Sequence, residues 1–93
     1  MRKKTEMLEE EILELIDASF DADLRPAVIE DLASVTLQHV MAESACNLRN
    51  TRIAILKLSK GDLEDLRILV ARAKIDFRDV IYWATEDDKR SPN

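Results

Sequence analysis

Apolar residues near the start of the chain recur at helical spacing. Leu8, Ile12, Leu15, Ile16 and Phe20 follow one another at intervals of three and four, with Leu13 on the flank. Glu6, Glu9, Glu10, Glu11, Glu14 and Asp17 occupy much of the remaining surface. That division predicts an amphipathic helix with a solvated acidic face. Its first carboxylates suit the positive end of the helix dipole. The stretch SFDADLRP ends the pattern, since Pro26 disfavours helix at Arg25 and suits the first turn of a new helix.

After Pro26, as far as Ser59, there is no glycine or further proline. Val28, Leu32, Val35, His39, Ala42, Cys46, Arg49, Ile53 and Leu56 alternate at four and three residues, a seam of period about 3.5. Ile29, Ala33, Leu37, Val40, Met41, Leu48, Ile55 and Leu58 form a second row beside it. A continuous helix over this span would be about 50 Å long. Its weak point is ESACNLRNT, where Ser44, Asn47, Asn50 and Thr51 have poor helix propensity, so a break near residues 44–50 is the alternative. Lys60-Gly61-Asp62 marks the clearest boundary. Gly61 suits a left-handed residue after a helix end, and Asp62 suits the N-cap of the next helix. Leu63, Leu66, Leu69, Val70 and Ala73 line one face of that helix. Asp76 repeats the N-cap chemistry, and Phe77, Val80, Ile81 and Ala84 line a last short helix.

Composition narrows the class. One glycine and two prolines in 93 residues leave little material for turns, so the chain is expected to be all-α and a single domain. MRKK at the start (residues 1–4) and EDDKRSPN at the end (residues 86–93) are expected to be disordered. A net charge of −5 disfavours phosphate-backbone binding as the main activity. No apolar run approaches the roughly 18 residues of a membrane span, and the glutamates behind MRKK do not fit a signal peptide. A single cysteine excludes an internal disulfide and fits a reducing, cytoplasmic setting.

Candidate chemistry is sparse. His39, Glu43 and Cys46 share a helical face, but no second His or Cys completes a soft metal site, so no metal or other cofactor is expected. Glu10, Glu14 and Asp17 lie in an acidic, solvated run and lack the burial that separates the pKa values of catalytic carboxylates. No phosphate-binding loop or nucleophile–base pair is present, and an enzyme is not expected. The last helix gathers Phe77, Tyr82 and Trp83, three of four aromatics. The spacing of Phe77, Val80, Ile81 and Ala84 predicts a lid closing one end of a bundle, with Trp83 at its edge. Arg78, Tyr82 and Trp83 are the candidates for docking a partner protein. A degenerate helix-turn-helix over residues 62–85 would instead turn Arg78, Tyr82 and Thr85 toward DNA. Asp79 and the acidic residues at 86–88 oppose that reading.

The run DLEDLRILVARAKIDFRDVIYWA resembles the ends of small uncharacterised bacterial proteins that close on a basic helix followed by Asp-aromatic-Arg-Asp-Val/Leu. The resemblance covers about a quarter of the chain. It implies an all-helical fold and a bacterial source, and it carries no activity and no functional residues. The expectation is therefore a small helical bundle with a long central helix and two short C-terminal helices. Apolar rows on more than one face of the central helix predict a homodimer, with Val35, His39, Ala42, Cys46, Arg49 and Ile53 as candidate interface residues. The expected function is that of a cytoplasmic protein-interaction or regulatory protein, with a DNA-binding regulator as the alternative. The sequence identifies no partner, pathway or ligand.

Overall fold

A computed structural model describes residues 8–40 and 44–90 of the chain. Helix α1 spans Glu10–Ser19 and turns Ile12 and Ile16 fully inward, with Leu8 and Phe20 buried at its two ends. The glutamate face points to solvent, as the pattern requires. Past Phe20 the chain turns through residues 21–24 into α2, Arg25–Ala33, with Pro26 in its first turn. Arg25 reaches back, donating from Nε to the Phe20 carbonyl at 3.1 Å and from Nη2 to that of Asp17 at 3.0 Å. Its guanidinium thus satisfies carbonyls that the end of α1 leaves open.

The long central helix does not form. Helix α2 ends at Ala33, a short 3-10 turn follows over Leu37–His39, and α3 spans Ala45–Ser59. The interruption precedes the span 44–50 to which low propensity points. Ser34, Val35 and Thr36 supply the local cause. The Ser34 hydroxyl donates to the Asp31 carbonyl at 2.6 Å, and the Thr36 side chain caps the 3-10 turn, both competing with helical hydrogen bonding. Burial supplies the tertiary cause, since Val35 and Val40 enter the core from an irregular backbone. Ser44 does not break a helix but begins one, accepting a hydrogen bond from the Asn47 amide at 3.2 Å. Poor helix formers at a first turn are caps and not faults.

Lys60 (φ 51°) and Gly61 (φ 84°) both take the left-handed backbone that closes α3. Asp62 then accepts from the Asp65 amide at 3.0 Å and opens α4, Leu63–Arg90. This run contains one extended residue, Asp76 (φ −156°, ψ 98°), whose carboxylate accepts from the Arg78 amide at 3.1 Å. Asp76 is thus a second N-cap inside the run, dividing α4 into limbs at 63–75 and 77–90. A straight helix would hold residues 63 and 87 about 36 Å apart. Instead Lys60 Nζ lies 3.8 Å from Asp87 Oδ1, so the second limb folds back toward the end of α3. The expected pair of short C-terminal helices is present as these two limbs. The second runs to Arg90, into the tail expected to be disordered, while residues 1–4 and 91–93 lie outside the described residues.

The result is a small all-α bundle. Its core joins Ile12 and Ile16 of α1 and Val28 and Leu32 of α2 to Ile55 of α3, Leu66 and Val70 of the first limb and Val80 and Ala84 of the second. Ion pairs tie its rim: Arg49 of α3 to Glu11 of α1, and Arg67 of α4 to Asp31 of α2 at 2.8 Å. No described helix is long and apolar enough to cross a membrane.

Candidate interaction surface

The residues expected to share one dimer seam are dispersed by the break between α2 and α3. Val35 is fully buried in the core of its own chain and is withdrawn from any interface. His39 sits in the 3-10 turn, where its Nδ1 accepts from the Thr36 amide at 3.0 Å. That bond assigns the ring proton to Nε2 in the neutral form. Ala42 and Glu43 lie outside the described residues. Cys46 is an exposed free thiol on the first turn of α3. Arg49 is committed to the carboxylates of Glu11 and, at 3.9 Å, Glu9, which raise its pKa above the ordinary arginine value. Ile53 is half-buried against the core. Among the described residues no three His, Cys, Asp or Glu side chains come together in a way that could hold a metal ion.

The aromatic cluster divides. Phe77 enters the core with Val80 and Ala84. Tyr82 is 62% exposed and Trp83 41% exposed, so the lid is made by Phe77 and its aliphatic neighbours while the two larger rings meet solvent. Arg78, the third docking candidate, is turned onto Asp76 by hydrogen bonds of 3.1 and 3.3 Å. The contact holds the Asp76 carboxyl below its ordinary range and raises the Arg78 pKa, first through the side-chain hydrogen bond in each case. The same geometry weakens the DNA reading. The limbs meet through one extended residue instead of the three- or four-residue turn of a helix-turn-helix. Arg78 faces Asp76, Arg72 lies 3.9 Å from Asp79, and the Thr85 hydroxyl donates to its own helix at Ile81.

A surface absent from the sequence expectation emerges on the first limb. Ile68 is 61% exposed and Ile75 75% exposed, with the exposed Ala71 between them. These positions lie at intervals of three and four residues, one stripe along the side of the limb that Leu66, Val70 and Ala73 do not use. The signal was available: Ile68 and Ile75 fall outside the apolar face the limb needs for its own core.

Arg52 is the other missed residue. It is buried in α3, and its Nη2 donates to the Val35 carbonyl at 2.6 Å, joining α3 to the irregular connection before it. Desolvation by burial lowers its pKa, partly offset by Glu9. Comparison with protein-family models, curated proteins and solved structures brings no match for this chain.

Proposed function

We propose that this chain is a small cytoplasmic interaction protein that acts through a helical surface and pairs with a second copy of itself. The observation that carries the reading is the exposed stripe Ile68–Ala71–Ile75 on the first limb of α4. Two isoleucines left wet at helix–helix spacing forgo about 25 cal/mol for each Å² of apolar surface a partner would cover. The stripe is large–small–large and so complements itself when two copies cross antiparallel. Ile68 of one copy then meets Ile75 of the other, and the two Ala71 residues allow close approach near the two-fold axis. Arg72 would stand beside that axis, and its proximity to Asp79 of the same chain moderates the like-charge contact. The exposed thiol of Cys46 supports a reducing compartment.

A seam of about two turns is smaller than a standard interface of about 800 Å² per partner. The pairing is accordingly weak and concentration-dependent. Light scattering from micromolar to millimolar chain concentration tests it. The native chain is expected to rise toward twice the monomer mass, while Ile75→Glu stays monomeric with an unchanged melting temperature. A native chain that remains monomeric throughout, or an Ile75→Glu variant that associates equally well, removes the reading.

A further inference from the structure

The second limb of α4 and the end of α3 enclose a cleft of about 340 Å³, lined by Leu58, Tyr82, Trp83, Glu86 and Asp87. Its construction follows from helix geometry. Tyr82 and Glu86 are four residues apart, as are Trp83 and Asp87, so two parallel rows each set an aromatic ring one turn from a carboxylate. Leu58 forms part of the apolar wall. The rings are not core residues, since more than two-fifths of each is open to solvent. The site also sets acidic groups near the C-terminal end of α4, where the carbonyl ends of the helix already present partial negative charge. Such crowding disfavours further anions and favours a cation. Lys60 illustrates that preference from within the chain, its ammonium lying 3.8 Å from Asp87 while its own side chain remains largely exposed.

We propose that this cleft binds an organic cation carried on an aliphatic stem, the chemistry shared by a peptide lysine and a free alkyl amine. The ammonium is held by Glu86 and Asp87 and by the ring faces of Tyr82 and Trp83. Its methylene stem lies along the rings and Leu58, as lysine stems do on apolar surface. An incoming ammonium competes with Lys60 for Asp87. The proposal does not depend on self-pairing, which concerns a different face of α4.

Trp83 is the only tryptophan in the chain and reports directly on the site. Its fluorescence in the full-length protein is titrated, at fixed ionic strength, with N-acetyl-lysine methylamide as the peptide-borne source and with 1,5-diaminopentane as the free amine. The expected result is a saturable emission change with at least one of the two, and their relative affinities distinguish the sources. Nε-acetylation of the lysine probe is expected to abolish it. The Glu86→Gln, Asp87→Asn double variant is expected to bind at least ten-fold more weakly with its helical circular dichroism unchanged. Lys60→Met, which removes the ammonium competing for Asp87, is expected to bind as tightly or more tightly. No saturable change with either amine overturns the proposal. So does equal binding of the acetylated probe, retention of affinity in the charge-neutral variant, or weakened binding in Lys60→Met.

Discussion

At the scale of single residues, the two left-handed positions that close α3 differ in what they tolerate. A Cβ added to Gly61 would lie 2.7 Å from the Ser19 carbonyl oxygen, and the residue already has φ +84°. Gly61→Ala therefore meets both left-handed strain and a clash where the α3–α4 turn passes the end of α1. It is expected to destabilise the fold by roughly 2–4 kcal/mol in chemical denaturation. Lys60, also left-handed but free of that contact, is expected to tolerate glycine with a small gain. Arg52→Met keeps the apolar stem but strands the Val35 carbonyl that Arg52 Nη2 serves. A loss of about 1.5–3 kcal/mol is expected, the usual size for a hydrogen bond to a charged group. Gly61 was legible in advance because only glycine relaxes in such a turn. Arg52 was not: a charged residue among apolar ones reads as surface until the carbonyl it serves is located. Its position beside Leu48, Ile55 and Leu56 was the available hint.

At the scale of elements, the capping side chains determine where α4 starts and where it turns. Asp62→Ala removes the bond to the Asp65 amide and is expected to cost about 1 kcal/mol. Asp76 acts within the run. Asp76→Ala is expected to loosen the second limb selectively, with amides of 77–90 losing more hydrogen-exchange protection than those of 63–75. The pH dependence has a definite sign. The folded pKa of Asp76 lies below the ordinary value of 3.8, so the carboxylate contributes stability above that pH. The charge-dependent contribution declines as pH falls below 3.8 and through the lower folded value, and the stability difference from Asp76→Ala is expected to narrow there. Both aspartates were readable because N-cap chemistry is local and the apolar face beyond each one restarts. The end of α2 was misread for the complementary reason. Val28, Leu32 and Val35 keep helical spacing into the break because all three reach the same core, although Val35 does so from irregular backbone. Periodicity reported burial correctly and mistook its continuity for that of the helix.

At the scale of the whole molecule, folding the chain into shorter elements changes which surface remains for a partner. A continuous central helix would have left its own apolar rows uncovered and brought two copies together near Cys46. The break, together with the return of the second limb, covers most of those rows and leaves Ile68 and Ile75 outside instead. Cysteine placement separates the two assemblies. In a Cys46→Ser background, Ala71→Cys is expected to give a disulfide-linked dimer rapidly on mild oxidation, because antiparallel pairing sets the two copies of residue 71 near the axis. Ile68→Cys alone is expected to crosslink slowly, yet quickly when mixed with Ile75→Cys chains, since position 68 of one copy faces position 75 of the other. A disulfide requires Cα atoms within about 7 Å, so the pattern reads register as well as proximity. Rapid self-crosslinking of Ile68→Cys and of Ile75→Cys as well as of Ala71→Cys would indicate a parallel arrangement, in which each position faces its own copy. Fast crosslinking of the native chain through Cys46, with none at these positions, would return the interface to α3.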